Sequence, residues 1–483
     1  MVQLLNRYAF RLLTAWLVLL SCLYSWLSII RHNHFQSGAF DLGVYDQEIW
    51  QYSQLLYPYN TIKERFILGD HLNLTTPLLA PLFWLWDDVR ALLIFQAVWL
   101  AFSSIAIYKL CLLRRLSAAV GLGVTFVYSF FYGIQQAVFF EFHAVIIGVG
   151  LLAWLAYFLE SGRNKTAIVI TALLLLTQEN MGIALAGLGL VYVFRKPFRK
   201  TGMLFVLIGI FYSLAAARLI AQLSPAGFQY QPEISFSISN NLTAMFNSPE
   251  KQQVWLYSLS WFSFLPIFSP GAMLATMLDL AQYFASGPEF SRMWTPFQHH
   301  RAILAVFLVL GVIEVLEFGK NRRIKTEWVG AAMVLFALGV QYRFHFPLNK
   351  LAKPIYRQEE AWMRDNREIF KQIPKGVSLA TQQSLVPHLS HRREIYLLWP
   401  RIKDFETGSP CGQKSCWWLD YAGKPEYLLV DLHPNQWLTQ LLESNENFGV
   451  AVANMERQGR IGLAARVNFA RLYRINQQTD DNN

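Results

Sequence analysis

Long apolar runs, separated by short polar or basic turns, fill the chain up to about Tyr342. The first, Phe10 to Ile30, is long enough to cross about 30 Å of hydrocarbon at about 1.5 Å per helical residue. Comparable runs recur at 90–112, 117–135, 143–160, 166–178, 181–195, 201–221, 253–268, 271–286, 301–318 and 327–342. Together they predict about eleven membrane-spanning helices. The stretch Leu72 to Trp86 is also apolar, but Pro77 and Pro81 interrupt it and Asp87/Asp88 close it. It predicts a helix lying at the outer interface, with Trp84 and Trp86 at headgroup level.

After Tyr342 the pattern shortens. VSLAT (Val377 to Thr381), EIYLLW (Glu394 to Trp399) and YLLVDL (Tyr427 to Leu432) are brief apolar runs bounded by Pro, Gly and charged residues, the pattern of strands. The expected fold is an α-helical integral membrane protein with a small C-terminal α/β extracytoplasmic domain. The expected boundaries are 1–342 for the membrane domain, with its first outer loop at 31–89, then 343–476 for the soluble domain and 477–483 for a disordered tail.

Composition sharpens this division. Only 15% of the 483 residues are charged, against about 25% in a typical soluble protein. The net charge of +10 would suggest a nucleic-acid partner in a soluble protein. Here the basic residues gather in alternate loops: Arg114/Arg115, Arg163/Lys165, Arg195/Lys196/Arg199/Lys200 and Lys320/Arg322/Arg323/Lys325. With Arg7 ahead of the first run and Arg11 at its very start, the positive-inside rule places the N-terminus in the cytoplasm and everything after Arg343 outside. No nucleic-acid partner is expected. The length of the first run and the spans that follow it also argue against a cleaved signal peptide. Cys22 and Cys111 lie in apolar runs and read as small buried hydrophobes. Cys411 and Cys416 could close a small disulfide loop in an oxidising compartment, or remain two surface thiols.

With this topology, many conspicuous acids and histidines fall on one outer face. The first loop supplies Asp41, Asp46, Glu48, Asp70 and His71, and later turns supply Glu141, His143, Glu179, Asn180, Arg292, His299, His300 and Arg301. Ionisable groups near membrane depth are expensive and usually functional. In FDLGVYDQEIWQ, starting at Phe40, the residues Leu42, Tyr45, Ile49 and Tyr52 recur at helical spacing. The segment predicts an amphipathic helix with Asp41 at its N-cap and Asp46 and Glu48 on its wet face. Gly69-Asp70-His71 offers an acid and an imidazole for a metal or a hydroxyl, or is a plain turn. Glu141 and His143, two residues apart, cannot share a helix face, which argues against a metal clasp on one helix. Gln178-Glu179-Asn180 interrupts an apolar stretch with a carboxylate that needs a partner. His299-His300-Arg301 either binds an anion or is a hydrated span end. No Gly-rich phosphate loop, CxxC pair, HExxH or GxSxG is present, so a soluble nucleotide-sugar enzyme, zinc protease or serine hydrolase has no motif support.

At FDLGVYDQ, Gly69-Asp70-His71, Phe140-Glu141-Phe142-His143, Gln178-Glu179-Asn180 and the stretch Ile373 to Leu397 with its VPHLSHRREIYL, the chain resembles a family of multi-pass membrane proteins. That family is a domain of unknown function commonly grouped with the GT-C glycosyltransferase superfamily. Members often carry Asp-Phe-His-Pro-Glu where this chain has Glu141 to Val145, and Lys-Glu-Asp where it has Gln178 to Asn180. The resemblance implies a GT-C-like enzyme that takes a sugar from a polyprenyl-phosphate donor at the extracytoplasmic face. It also implies an acidic residue in the first outer loop, which here means Asp41 or Asp46. Such a transfer needs a carboxylate to deprotonate the acceptor, and cations for the departing lipid phosphate. Lys63, Arg65, Arg292 and Arg301 are candidates for the latter.

The expected substrate-binding set is Glu48, Asp70, His71, Glu141, His143, Glu179, Arg292, His300 and Arg301. A divalent metal is an option, with no ligand set indicated. The expected partners are membrane lipid, the polyprenyl-phosphate sugar donor and a glycan, lipid or protein acceptor. The expected location is a cell membrane of the bacterial inner-membrane type. The rival readings are a lipid or polysaccharide transporter or flippase, and a non-catalytic envelope assembly protein.

Overall fold

The computed structural model describes residues 2–224, 237–398, 425–436, 438 and 445–476. The proposed Cys411–Cys416 disulfide and the tail from Gln477 lie outside them. Helices dominate: α1 Val2–Asn33, α2 Val44–Ser53, α3 Pro81–Leu85, α4 Arg90–Leu113, α5 Ala118–Ser129, α6 Tyr132–Phe140, α7 Val145–Glu160, α8 Asn164–Leu175, α9 Met181–Val193 and α10 Arg199–Leu223. They continue with α11 Ile238–Ala244, α12 Pro249–Trp261, α13 Pro270–Phe284, α14 Leu304–Asn321, α15 Thr326–Phe344, α16 Ala361–Phe370 and α17 Asn445–Arg457.

Every apolar run identified above contains a helix, but few of these helices are long. Among the described residues four segments have the length and apolarity to cross a membrane: Arg7–Asn33, Arg90–Leu113, Lys196–Leu223 and Phe290–Asn321. The pair α5 and α6, bent by 41°, makes a fifth if it counts as one broken span. The other runs form shorter helices, such as α8 and α9, so about eleven full-length spans is more than helix length supports. Leu72 to Trp86 forms only a 3-10 turn at Thr76–Leu79 and the five-residue α3, with Trp84 and Trp86 exposed. Its prolines hold it to these short pieces.

Two compact units emerge. The first comprises Met1–Ser28, Leu68–Thr76 and Leu93–Lys353. Its helices pack through small residues: a Cβ on Gly209 would lie 2.3 Å from the Gly182 carbonyl, and one on Gly189 2.6 Å from that of Gly202. These glycines therefore let the backbones of α9 and α10 touch, as small residues do between membrane helices. A buried ion network joins helix ends in the same unit. Arg114 is bound by Glu160, Tyr192 donates to Glu160 at 2.9 Å, and Arg195 meets Glu317 at 2.9 Å. Cys111 is buried as expected. Cys22 is not: it is exposed on α1, where an apolar side chain needs no cover if the surrounding solvent is lipid.

The second unit gathers Ile29–Ile67, Pro77–Leu92 and Pro354–Asn483. Among the described residues its sheet runs, edge to edge, through Ile395–Leu397, Leu379–Thr381, Tyr427–Asp431, Ala470–Ile475 and Ile461–Val467. Strands β3 (Leu379–Thr381), β4 (Ile395–Leu397) and β5 (Tyr427–Asp431) are the three expected from sequence, and they pair in parallel. The hairpin of β6 (Ile461–Val467) and β7 (Ala470–Ile475) adds two antiparallel strands that were not expected. The core beneath them includes Tyr396, Leu428, Val430, Phe448, Met455 and Tyr473. Two-residue strands β1 (Tyr59–Asn60) and β2 (Arg65–Phe66) form a ribbon within the first loop. That loop covers the edge strand β4. Thr61 Oγ1 donates to the Ile395 carbonyl at 2.6 Å and accepts from its N–H at 2.9 Å, while Gln47 Nε2 donates to Thr61 at 2.7 Å. An edge that would otherwise invite foreign strands is thus satisfied from within the chain.

Candidate functional site

In the second unit, Ala39–Gly43 forms a π-helical turn, closed by the Gly43 N–H on the Gly38 carbonyl at 3.1 Å. Asp41 sits inside this turn, half-buried. It is not the expected N-cap: the turn is capped by Gly38, and α2 begins after Gly43. Gly43 is required by close approach, because a Cβ there would come within 2.9 Å of Val386 Cγ1. Lys63 Nζ lies 5.4 Å from the ring of Phe40, beside Asp41, and Arg65 Nε donates to the Lys63 carbonyl at 3.3 Å.

Helix α2 is not amphipathic in its burial. Asp46 and Glu48, expected on a wet face, are both 0% exposed. The first loop meets the C-terminal segment on one side and its own ribbon on the other, leaving no wet side. Asp46 is satisfied by that segment. Its Oδ1 lies 3.0 Å from His391 Nε2, and its Oδ2 accepts from Ser390 Oγ. The other imidazole nitrogen, Nδ1, lies 2.7 Å from Asp87 Oδ1. Trp50 stacks beside the imidazole at 6.1 Å, and Phe83 meets it edge-on at 4.5 Å. Both ring nitrogens therefore face carboxylate oxygens, which only accept, so both carry protons and the ring is an imidazolium. Burial acts to lower the pKa of His391, but Asp46 and then Asp87 more than offset it and hold it at about 8.

A separate polar cluster lies in the first unit. His71 Nδ1 is 2.8 Å from Glu179 Oε1, and the Leu72 N–H donates to Glu179 Oε2 at 3.2 Å. The neighbouring Asn180 donates to the Tyr283 hydroxyl at 3.3 Å. Tyr283 stacks on His300 at 3.7 Å, and the Arg301 guanidinium lies 5.4 Å from the tyrosine ring. Arg301 is wholly buried and donates through Nε to the Thr295 carbonyl and through Nη2 to that of Met293. His143 stacks on His299 at 3.6 Å. Beside it, Glu141 is buried with φ 146° and ψ −177°, a conformation that is almost confined to glycine. Asp70 is buried, and Arg292 is exposed in the segment leading to His299.

The structure thus brings His71 to Glu179, and links the Asn180 turn through Tyr283 to His300 and Arg301. It gives Asp46 partners that sequence reasoning had not chosen, namely Ser390, His391 and Asp87. His391 and Ser390 were visible only inside VPHLSHRREIYL, and nothing in their spacing points to a residue 345 positions away. Asp279 was also missed: it is a buried acid in the middle of α13, held at 3.1 Å by Gln282. Its signal was available, since it is the one acid in the apolar run 271–286. Among the described residues no group of three or more His, Cys, Asp or Glu side chains is disposed to hold a metal ion.

The family described as "Predicted membrane protein (DUF2079)" matches this chain over residues 31–448. No curated protein matches it.

Proposed function

The chain belongs to the DUF2079 family of predicted membrane proteins, and we propose that it is a membrane glycosyltransferase of GT-C type. In this reading it moves a sugar from a polyprenyl-phosphate donor to an acceptor at the extracytoplasmic face of a bacterial inner membrane. The chain crosses the membrane about eleven times, with shorter helices completing the set, and keeps its N-terminus in the cytoplasm.

The observation that carries the reading is Asp41. It is half-buried in a π-helical turn, a rare geometry that recurs at functional sites, with cationic Lys63 beside the adjoining ring. A carboxylate so held can take the acceptor proton and stabilise positive charge at the anomeric carbon. Lys63 and Arg65 then supply charge for the departing lipid phosphate. Asp46, with both oxygens engaged, anchors the loop instead of acting as the base.

The test is Asp41→Asn at wild-type expression, with lipid-linked sugar intermediates measured in membranes. Turnover should fall by about 10²–10⁴-fold, with accumulation of the donor lipid, because Asn keeps the shape but cannot accept the proton. Near-normal turnover would remove Asp41 from the chemistry. Passage of unmodified lipid or glycan across the bilayer, without transfer, would select the transporter reading.

A further inference from the structure

The Asp46–His391–Asp87 array does work that the proposed chemistry leaves unassigned. Asp46 is fully buried, and Asp87 is 66% exposed at its side chain. Between them the imidazole has no nitrogen left for a substrate. The array instead ties together three stretches distant in sequence: α2, the segment after α3, and the residues leading into β4.

We infer that His391 is a positioning residue, which as an imidazolium clasps α2 through Asp46 and the 77–92 segment through Asp87, and so fixes the turn carrying Asp41. The link to Asp41 rests on the transferase reading; the clasp itself does not. A neutral imidazole has one N–H, so loss of a proton leaves one ring lone pair opposed to a carboxylate and must break one of the two bonds. Asp87 is the one released, because it can be hydrated. A buried Asp46 would be left with Ser390 alone, and a buried charge short of donors is expensive.

Among the described residues, the groups facing the ring are Asp46 and Trp50 from α2, Phe83 from α3, Asp87 beyond it, and Ser390 from its own segment. Only the two carboxylates among them are charged. Asp88 is engaged by Arg90 at 2.7 Å, and Arg392 Nε donates to the Leu389 carbonyl at 2.6 Å.

Hydrogen exchange on the full-length protein in nanodiscs, without any sugar donor, tests the clasp. In wild type, protection of 77–92 should fall about tenfold between about pH 6.5 and about pH 9.5, after correction for intrinsic exchange, with 40–53 following at higher pH. His391→Gln offers a neutral donor group and should give low, pH-independent protection of 77–92. Asp87→Asn changes an exposed side chain that folding tolerates, and should move the midpoint to lower pH. Wild-type protection that ignores pH would overturn the inference, as would a wild-type response in His391→Gln or an unmoved midpoint in Asp87→Asn. Because no transfer is measured, such a result leaves the transferase reading intact. An inert Asp41→Asn change would remove only that reading.

Discussion

At the scale of single residues, the chain places charge and strain where a merely structural protein would avoid them. Glu141 adopts a backbone conformation that suits glycine, at the end of α6 and beside a stacked histidine pair. Strain of this kind costs about 1–3 kcal/mol and persists where function holds it. Glu141→Gly should therefore raise the thermal midpoint, by relief of about 1 kcal/mol or more, while lowering activity. A lower midpoint would mean that the carboxylate holds the turn together and that the strain is incidental.

His391 makes a second case, with a pH dependence of definite sign. Its pKa rises from 6.5 to about 8 on folding. The resulting stabilisation, on the order of 2 kcal/mol, is fully present below about pH 6.5 and disappears as pH rises through about 8. Chemical denaturation of wild type across that window should show the loss, and His391→Gln should flatten it.

The sequence showed the acids of the first loop but assigned two of them the wrong surroundings. Asp46 and Glu48 follow helical spacing that fits a wet face. Asp46 is covered there by Ser390 and His391, hundreds of residues away, and periodicity carries no information about such partners.

At the scale of elements, legibility followed the range of the forces involved. Helix positions were readable because each apolar run is a local pattern. Helix lengths were less so: α5 and α6 bend at residues that look as apolar as their neighbours. The three parallel strands were visible as short apolar runs. The β6–β7 hairpin escaped, because IGLAARV and ARLYRI mix apolar and charged residues and Asn468 turns between them at φ 51°.

The cover over β4 was equally hidden, since it depends on Thr61, an ordinary residue in a ribbon. Thr61→Val keeps the shape but removes both bonds to Ile395 and the one from Gln47. Leaving those groups unpaired should destabilise the second unit by about 1–3 kcal/mol, with exchange of the Ile395 amide rising most. Unchanged exchange there would show that the edge is protected by burial alone.

At the scale of the whole molecule, composition divided the chain near Tyr342, and the backbone contacts divide it differently. Residues 29–67 and 77–92 belong with the C-terminal sheet, although most of the chain's apolar runs separate them from it in sequence. The proposed orientation places this composite unit outside the cytoplasm. An alkaline phosphatase fusion after Tyr342 should accordingly be active, and a fusion after Arg115 inactive. An inactive fusion after Tyr342, with an active one after Arg115, would reverse the orientation and move the Asp41 turn to the other compartment.

The interleaved make-up of that unit also sets a timetable for synthesis. Asp46 leaves the ribosome 345 residues ahead of the histidine that neutralises it. At about 5–20 residues per second, it waits roughly 20–70 s. Throughout that interval α2 exists without its cover, and β4, which it will shield, has not been made. A nonsense mutation between the first loop and His391 would therefore strand the loop permanently, with its buried acids open to water and its apolar surface open to proteases. Such truncated chains should be short-lived in the cell even when every preceding apolar helix has been inserted.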